Sequence, residues 1–152
     1  MTNPAKAQAI KVRSAEERDI TALARLAGEL GYPSTPEEVR ERFAGTKGAS
    51  HQATFVAVIE GDIVIGWIQL SESRTLETNP RAEITGLVVD SNFRGAGAGS
   101  LLVERGEEWA RERGLAIIGV RSNIIRERTH RFYERLGYAA TKTQKVFRKS
   151  LS

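Results

Sequence analysis

The sequence contains no cysteine, and this absence removes several kinds of chemistry. The 152-residue chain has no disulfide, no thiolate metal site and no cysteine nucleophile. Histidine is nearly as scarce, because only His51 and His130 are present, which argues against a zinc site built from imidazoles. We therefore predict that the protein holds no metal and forms no covalent intermediate on a cysteine.

Long apolar segments are also missing. No run approaches the roughly 18 residues that span a bilayer, and the polar start, residues 1–9, lacks the apolar core of a signal peptide. The hydrophobic fraction of 40% and the charged fraction of 28% are typical of a globular domain. We expect a cytoplasmic protein without membrane contact, folded as a single domain over residues 1–152, with residues 1–8 flexible.

The charge is moderately basic, with a formal net charge of +4. The basic residues concentrate between Arg94 and Arg135 and are interleaved with acidic ones, instead of forming a tail. This distribution favours an anionic small molecule over a nucleic acid as the partner. A basic nucleic-acid-binding domain is kept as an alternative, although no aromatic or helix-turn-helix constellation supports it.

The first half of the chain alternates helical and strand patterns. Ser14–Glu17 has the spacing of a capping box and opens a helix that ends at Gly31. Thr35–Glu38 opens a second helix in the same way, with Pro36 at its first position. Strands are predicted over Thr54–Ile59, Ile63–Leu70 and Arg81–Val89, and the first two are joined by a hairpin at Glu60–Asp62.

The second half continues the alternation and completes an α/β fold. It comprises a helix over Gly97–Arg113, an apolar strand over Leu115–Val120 that we expect to be covered on both faces, a helix over Arg126–Leu136 and a last strand over Tyr138–Lys149. The order β-α-α-β-β-β-α-β-α-β predicts a mixed, mostly antiparallel sheet flanked by helices.

A glycine-rich turn, Arg94-Gly95-Ala96-Gly97-Ala98-Gly99, joins a strand directly to a helix. Glycines let the backbone turn tightly, and the free N–H groups of a helix start favour phosphate. The turn lacks the Gly-Lys-Ser/Thr of a P-loop. It also lacks the third glycine of a dinucleotide fingerprint, because Ser100 or Leu102 occupies that position. The remaining interpretations are a phosphate or pyrophosphate site and a plain connector.

Two segments resemble the GNAT family of N-acetyltransferases. Arg94–Gly99 is similar to the family's pyrophosphate signature Arg/Gln-x-x-Gly-x-Gly/Ala, and Phe132–Tyr138 is similar to its segment F-Y-E-x-L-G-F/Y. In element order the resemblance extends over Ile10–Arg148, and small-molecule and aminoglycoside-type members look most similar. It implies direct transfer of an acetyl group from acetyl-CoA to a primary amine within a ternary complex. A module that binds acetyl-CoA without turnover is the alternative.

The resemblance also implies a set of cofactor-binding residues. The two strands Arg81–Val89 and Leu115–Val120 are expected to splay, with Gly86 as the candidate bulge. Asn123 is a further candidate for bonding the pantetheine. The strand residues Leu87, Val88 and Val89 would line the pantetheine through their backbone, and the amides of Arg94, Gly95, Ala96, Gly97, Ala98, Gly99 and Ser100 would hold the pyrophosphate.

Two residues are implied for catalysis by the same resemblance. Glu83 is placed as the base that takes a proton from the attacking amine, and a surface glutamate paired with Arg81 or Arg74 is the alternative. Tyr133 is placed as the acid that protonates the departing thiolate, and a tyrosine that only packs in the core is the alternative.

The resemblance implies a small-molecule or peptide amine as the acceptor. Tyr32 and Glu72 are the candidate contacts, because the resemblance places the acceptor near the first helix and the hairpin region. A homodimer through the last strands is also implied, since it is common in similar folds.

Overall fold

The computed structural model describes residues 9–46, 51–122 and 126–152. The flexibility predicted for residues 1–8 and the role predicted for Asn123 lie outside the described residues. Residue contacts divide the chain into two compact units, Met1–Val120 and Arg121–Ser152. The single domain expected over residues 1–152 stays a prediction.

In its described residues, the first unit contains five strands, three α-helices and two short 3-10 helices, the second of which is Ser91–Phe93. Strand β1 spans Lys11–Ser14 and is followed by a short 3-10 turn, Glu17–Asp19. The remaining elements are helix α1 Ile20–Leu30, helix α2 Pro36–Thr46, strand β2 Gln52–Ile59, strand β3 Ile63–Ser73, strand β4 Arg81–Val89, helix α3 Ala98–Glu112 and strand β5 Ile118–Val120.

The strands form one sheet in the order β1-β2-β3-β4-β5. Neighbouring strands are antiparallel except for β4 and β5, which are parallel. Helix α1 covers one face, where Leu23 and Leu26 pack against Val56 and Val88. Helix α3 covers the other face and lies so close that a Cβ at Gly106 would come within 2.7 Å of Leu70. The predicted mixed, mostly antiparallel sheet with flanking helices is confirmed.

The two predicted helix starts differ in outcome. At α2 the capping box forms, because the Glu38 amide donates to Thr35 Oγ1 at 3.1 Å and the Thr35 amide donates to Glu38 Oε1 at 2.9 Å. The capping box predicted at Ser14 is wrong. Ser14 is the last residue of β1, opposite Phe55, and the reciprocal pair is formed by Glu16 and Asp19 instead.

The strand predicted over Leu115–Val120 is shorter and more exposed than expected. Only Ile118–Val120 is a strand, and it lies at the edge of the sheet order. Ile117 is 61% exposed, so the expectation of cover on both faces is wrong. A continuous apolar run indicates burial only where both faces of the strand meet other elements.

The second unit contains helix α4, Glu127–Arg135, followed by a long irregular segment. Residues 138–152, all of which the structure describes, form neither helix nor strand. The strand predicted over Tyr138–Lys149 is therefore wrong within this chain, because an alternating pattern becomes a strand only when a neighbouring strand takes up its hydrogen bonds. Phe147 is 87% exposed there and Val146 is 71% exposed. Among the described residues of both units, no helix is long and apolar enough to cross a membrane.

Candidate functional site

Strands β4 and β5 pair over only a short distance. Their parallel register contains three residue pairs, which end at Ile84 and Val120. Strand β4 nevertheless continues to Val89. Beyond Ile84, therefore, the edge of β4 that faces away from β3 is no longer paired with the described residues of β5.

A β-bulge lies where the pairing ends. Gln69 of β3 is opposite Gly86 and Leu70 is opposite Ile84, so Thr85 is the extra residue. The expected bulge at Gly86 is thus displaced by one position. Gly86 itself is needed for packing, since a Cβ there would lie 2.7 Å from the ring of Trp67.

The bulge determines which backbone groups of β4 point to the open side. The Asp90 amide donates to Ile65 of β3 at 2.7 Å. Because successive residues of a strand point their backbone groups in alternate directions, Val88 also faces β3, whereas Leu87 and Val89 face the side that β5 has left. The side chain of Val88 packs in the core. Of the three strand residues predicted to line a cofactor, Leu87 and Val89 therefore direct backbone groups away from β3, and no described residue of β5 pairs with them.

The glycine-rich turn presents unpaired amides at the start of α3. Gly95 has a φ of 83° and Gly97 a φ of 93°, both in the left-handed region that other residues avoid. The first helical bond runs from the Leu101 amide to the Gly97 carbonyl at 3.1 Å. The amides of Ala98, Gly99 and Ser100 precede that bond and have no partner within the helix.

No side chain caps this helix start, because Gly97 occupies the N-cap position. The free donors and the positive end of the helix dipole are therefore directed to the same place, which suits a phosphate group. Arg94 is exposed and adds a positive charge to the turn.

Glu83 lies at the opposite end of β4 and is already paired. Its Oε1 accepts a hydrogen bond from Arg81 Nε at 2.9 Å, and its side chain is 17% exposed. Arg81 also donates to Thr78 at 3.2 Å. The arrangement contains the ion pair considered as the alternative for Glu83, and it leaves Oε2 as the oxygen that a reacting group would use.

Glu72 lies near the same end, on the α3 face of the sheet. Its side chain is only 4% exposed, and it is paired with Arg74 and with Arg113, the latter at 3.3 Å. The hydrogen bond from Arg74, joined by that from Arg113, lowers the pKa of Glu72 against the opposing effect of burial. Tyr32, the other predicted acceptor contact, is 68% exposed just after the end of α1. No group of three or more His, Asp or Glu side chains in the described ranges is placed to hold a metal ion.

Tyr133 belongs to helix α4 of the second unit. Its ring packs edge-on against Phe132 and Tyr138, with centroids 5.1 and 5.4 Å apart, and the residue is 7% exposed. Burial raises the pKa of Tyr133 to about 12, so the phenol keeps its proton at neutral pH.

Helix α1 contacts the residues just before the glycine-rich turn, which sequence reasoning did not predict. Arg25 Nη1 lies 2.9 Å from Asp90 Oδ2, and Glu29 Oε1 accepts the Ser91 amide at 3.0 Å. An aspartate just after a strand is a recognisable cap for the following turn. The identity of its partner, 65 residues earlier in the chain, has no local signal.

Comparisons with known proteins agree with this geometry. Residues 18–138 match the acetyltransferase (GNAT) family. An uncharacterised N-acetyltransferase of Methanocaldococcus jannaschii is 35% identical over 72 residues, which make up 47% of this chain and 30% of that relative. The match thus spans less than a third of the relative's length.

Solved structures show the same fold. A transcriptional regulator of Bacillus halodurans C-125 has a TM-score of 0.81 and 28% identity, over 93% of this chain and 100% of that one. An aminoglycoside N-acetyltransferase in complex with CoA has a TM-score of 0.84 over 94% of this chain and 96% of that one, and at 18% identity this likeness concerns the fold alone. Since the family match covers most of the sequence, the chain belongs to the acetyltransferase (GNAT) family.

Proposed function

We propose that this chain is an N-acetyltransferase that moves an acetyl group from acetyl-CoA to a primary amine. The observation that carries the proposal is the path of β4, which leaves β5 at the Thr85 bulge and leads into a turn with unpaired amides. This combination suits acetyl-CoA, because the extended arm that carries the thioester would lie along β4 and the pyrophosphate would lie at the turn.

The described residues fit acetyl-CoA as co-substrate. Leu87 and Val89 offer backbone groups along β4 for the amides of the pantetheine arm. The amides from Arg94 to Ser100 would hold the pyrophosphate, and of these the Ala96 amide also donates to the Phe93 carbonyl at 3.4 Å. Gly97 has open space at the Cβ position, with no described heavy atom within 4 Å. A structural neighbour, the aminoglycoside N-acetyltransferase, was solved in complex with CoA. That complex supports the assignment at the level of the fold.

Glu83 is proposed as the base in this reaction. An alkylamine is mostly protonated at neutral pH, so it must lose a proton before it attacks the thioester carbonyl. Arg81 occupies Glu83 Oε1, and the proton would therefore pass to Oε2, either directly or through a water molecule. The amine nitrogen then forms its bond to the acetyl carbon while the carbon–sulfur bond breaks. The nitrogen loses its second proton as the amide forms, and this proton balances the one that the departing thiolate takes up.

Tyr133 is proposed as the acid that gives a proton to the departing thiolate. Its raised pKa keeps the phenol protonated at neutral pH, which is the form that donates. Replacing Tyr133 with Phe removes the proton and keeps the ring that packs between Phe132 and Tyr138. A kcat lowered at unchanged thermal stability would support the role. The role of Asn123 in binding the pantetheine stays a prediction.

The acceptor is proposed to be a small-molecule or peptide amine. Tyr32 is the more accessible of the two predicted contacts, because it is largely exposed where the chain leaves α1. Glu72 would bind a cationic acceptor only in exchange for one of its two guanidinium partners. We therefore assign the first acceptor contact to Tyr32 and a secondary one to Glu72.

A homodimer is proposed through the C-terminal segment. Residues 138–152 form neither helix nor strand, and they expose Val146 and Phe147. Strand β5 lies at the edge of the sheet and exposes Ile117 next to it. The edge of β5 in a second copy would supply the hydrogen bonds and the apolar cover that this segment needs. A monomeric mass in solution at micromolar concentration would contradict the dimer.

Calorimetric titration with acetyl-CoA tests the central proposal. Wild type is expected to bind, and Gly97→Glu is expected to lose binding because the variant strains the turn and adds negative charge beside the pyrophosphate. Gly114→Glu is the matched control, since Gly114 also has a positive φ, 72°, and open space, at the far end of α3. A folded wild type that does not bind acetyl-CoA would overturn the proposal.

The alternatives are separated by two further measurements on the same protein. If acetyl-CoA binds but no tested amine releases CoA, the chain is a binding module without turnover. If a salt-dependent shift of DNA is seen instead, the basic surface serves a nucleic acid.

A further inference from the structure

Helix α1 holds the segment that leads from β4 into the glycine-rich turn, Asp90 and the short 3-10 helix Ser91–Phe93, at two points. Arg25 binds the carboxylate of Asp90 at 2.9 Å, and Glu29 accepts the amide of Ser91 at 3.0 Å. Arg25 and Glu29 are one helical turn apart and lie 3.8 Å from each other. The two side chains therefore reach the consecutive residues Asp90 and Ser91, just before the turn, from the same side of α1.

Asp90 connects this contact to the conformation of the turn. Its Oδ1 accepts the Asn92 amide at 2.9 Å, and its own amide donates to Ile65 at 2.7 Å. The residue is 7% exposed. Asp90 thus fixes the chain just after β4, because its backbone is bonded to β3 and its side chain is bonded to Asn92.

The charge of Asp90 would oppose an anionic ligand. A nearly buried carboxylate at the start of a pyrophosphate site repels the ligand unless a cation compensates it. Arg25 is that cation, and its second Nη donates to the Val64 carbonyl at 3.3 Å, which fixes the guanidinium in place. Asp90 can therefore shape the turn while its charge is cancelled.

We propose that Arg25 and Glu29 are positioning residues for acetyl-CoA. Glu29 holds the turn in the shape that directs the amides after Gly97 to the pyrophosphate, and Arg25 neutralises the aspartate that this shape requires. Neither residue touches the reacting atoms. The inference rests on the proposed function, because it assumes that the turn binds the pyrophosphate of acetyl-CoA.

The test compares acetyl-CoA affinity in variants that separate shape from charge. Glu29→Ala removes the acceptor of the Ser91 amide, whereas Glu29→Gln keeps an oxygen at that position. Arg25→Met removes the compensating charge, and the double variant Arg25→Met/Asp90→Asn removes both charges while an amide oxygen can still accept from Asn92. The controls are Glu112→Ala and Arg111→Met, which alter an exposed glutamate and an exposed arginine on α3.

We expect Glu29→Ala and Arg25→Met each to weaken acetyl-CoA binding about tenfold, the usual effect of one hydrogen bond to a charged group. Glu29→Gln and the double variant should recover most of the affinity. In steady-state assays the loss should appear in the KM for acetyl-CoA, with kcat nearly unchanged.

Two outcomes overturn different statements. If wild type binds acetyl-CoA and both single variants bind as tightly as the controls, the positioning role is wrong while the proposed function stands. If folded wild type does not bind at all, the proposed function itself has failed. Thermal unfolding identifies any variant that does not fold, and if Arg25→Met is such a variant, the comparison of Glu29→Ala with Glu29→Gln decides the question.

Discussion

The two ends of β4 satisfy their polar groups in opposite ways. At the C-terminal end, the amides of Ala98, Gly99 and Ser100 precede the first helical bond and have no partner within α3. The nearby ion pair of Arg25 with Asp90 holds the segment before the turn. At the N-terminal end, the carboxylates of Glu83 and Glu72 are paired with arginines that include Arg81 and Arg74. One end offers free donors, whereas the other offers groups that are already occupied.

This difference indicates how each end recognises a substrate. Backbone donors depend on conformation, which a few glycines provide, and they suit a co-substrate whose pyrophosphate never changes. Paired side chains must exchange partners when an acceptor binds, so their selectivity depends on which ion pairs an acceptor can replace. We expect changes at the first end to affect the KM for acetyl-CoA and changes at the second end to affect the chemical step.

The largest effect is expected from Glu83→Gln. Loss of a general base lowers kcat by about a hundredfold, and the KM for acetyl-CoA should stay the same because the turn is unchanged. Steady-state kinetics with a reactive amine measures both values, and Glu60→Gln, in the exposed β2–β3 hairpin, is the control. A kcat within twofold of wild type would remove Glu83 from the mechanism.

Gly86→Ala tests how the middle of β4 packs against Trp67. The added methyl group would lie 2.7 Å from the ring of Trp67, so the free energy of unfolding should fall by about 1–3 kcal/mol. Urea denaturation measures this value. Gly119→Ala is the control, because no heavy atom lies within 4 Å of its added Cβ. Equal loss in both variants would show that the Trp67 contact does not account for the effect.

Gly97→Ala should raise the KM for acetyl-CoA about tenfold and leave kcat nearly intact. The left-handed conformation at φ 93° costs an alanine roughly 1–2 kcal/mol, and the turn is expected to relax away from the shape that binds phosphate. Gly114→Ala carries a comparable strain at φ 72° away from the turn. If the two alanine variants had the same KM, the conformation of the turn would not determine affinity.

The smallest effect concerns acid stability at the N-terminal end. Hydrogen bonds from Arg74 and Arg113 lower the pKa of Glu72 in the folded protein. Its contribution is therefore complete above the unfolded pKa of about 4.3 and is lost as the pH falls through the folded value. Below that pH, the thermal stability of wild type should fall more steeply than that of Glu72→Gln, as measured by thermal unfolding. Parallel pH profiles would show that the ion pairs contribute no stability.

The elements that the sequence predicted correctly are those with local signals. Strand β4 and the capping box of Thr35 depend on residues within a few positions of each other. Ser14 shows the limit of such signals. It pairs with Phe55 of β2 as the last residue of β1, and it therefore does not cap the following helix. The segment after Tyr138 has a strand pattern but no neighbouring strand in the described part of this chain.

The candidate site follows the same rule. The glycine-rich turn could be found from its spacing, and its conformation agrees with that expectation. The position of the bulge was missed by one residue, because the register of β3 against β4 decides it and Gly86 is used to accommodate Trp67. Arg25 and Asp90 meet across 65 residues of chain, and only the packing of α1 on the sheet brings them together.

The bulge at Thr85 can also be regarded as an inserted residue. The residues that face α3 on its two sides, Ile84 and Leu87, are separated by an odd number of positions, and only the extra residue makes them share a face. A chain without Thr85 would keep every side chain of β4 on its present face. It would, however, have a straight β4, along which β5 could continue to pair past Ile84. On the proposed function, this single extra residue would separate β4 from β5 where acetyl-CoA lies, while the neighbouring side chains keep their faces.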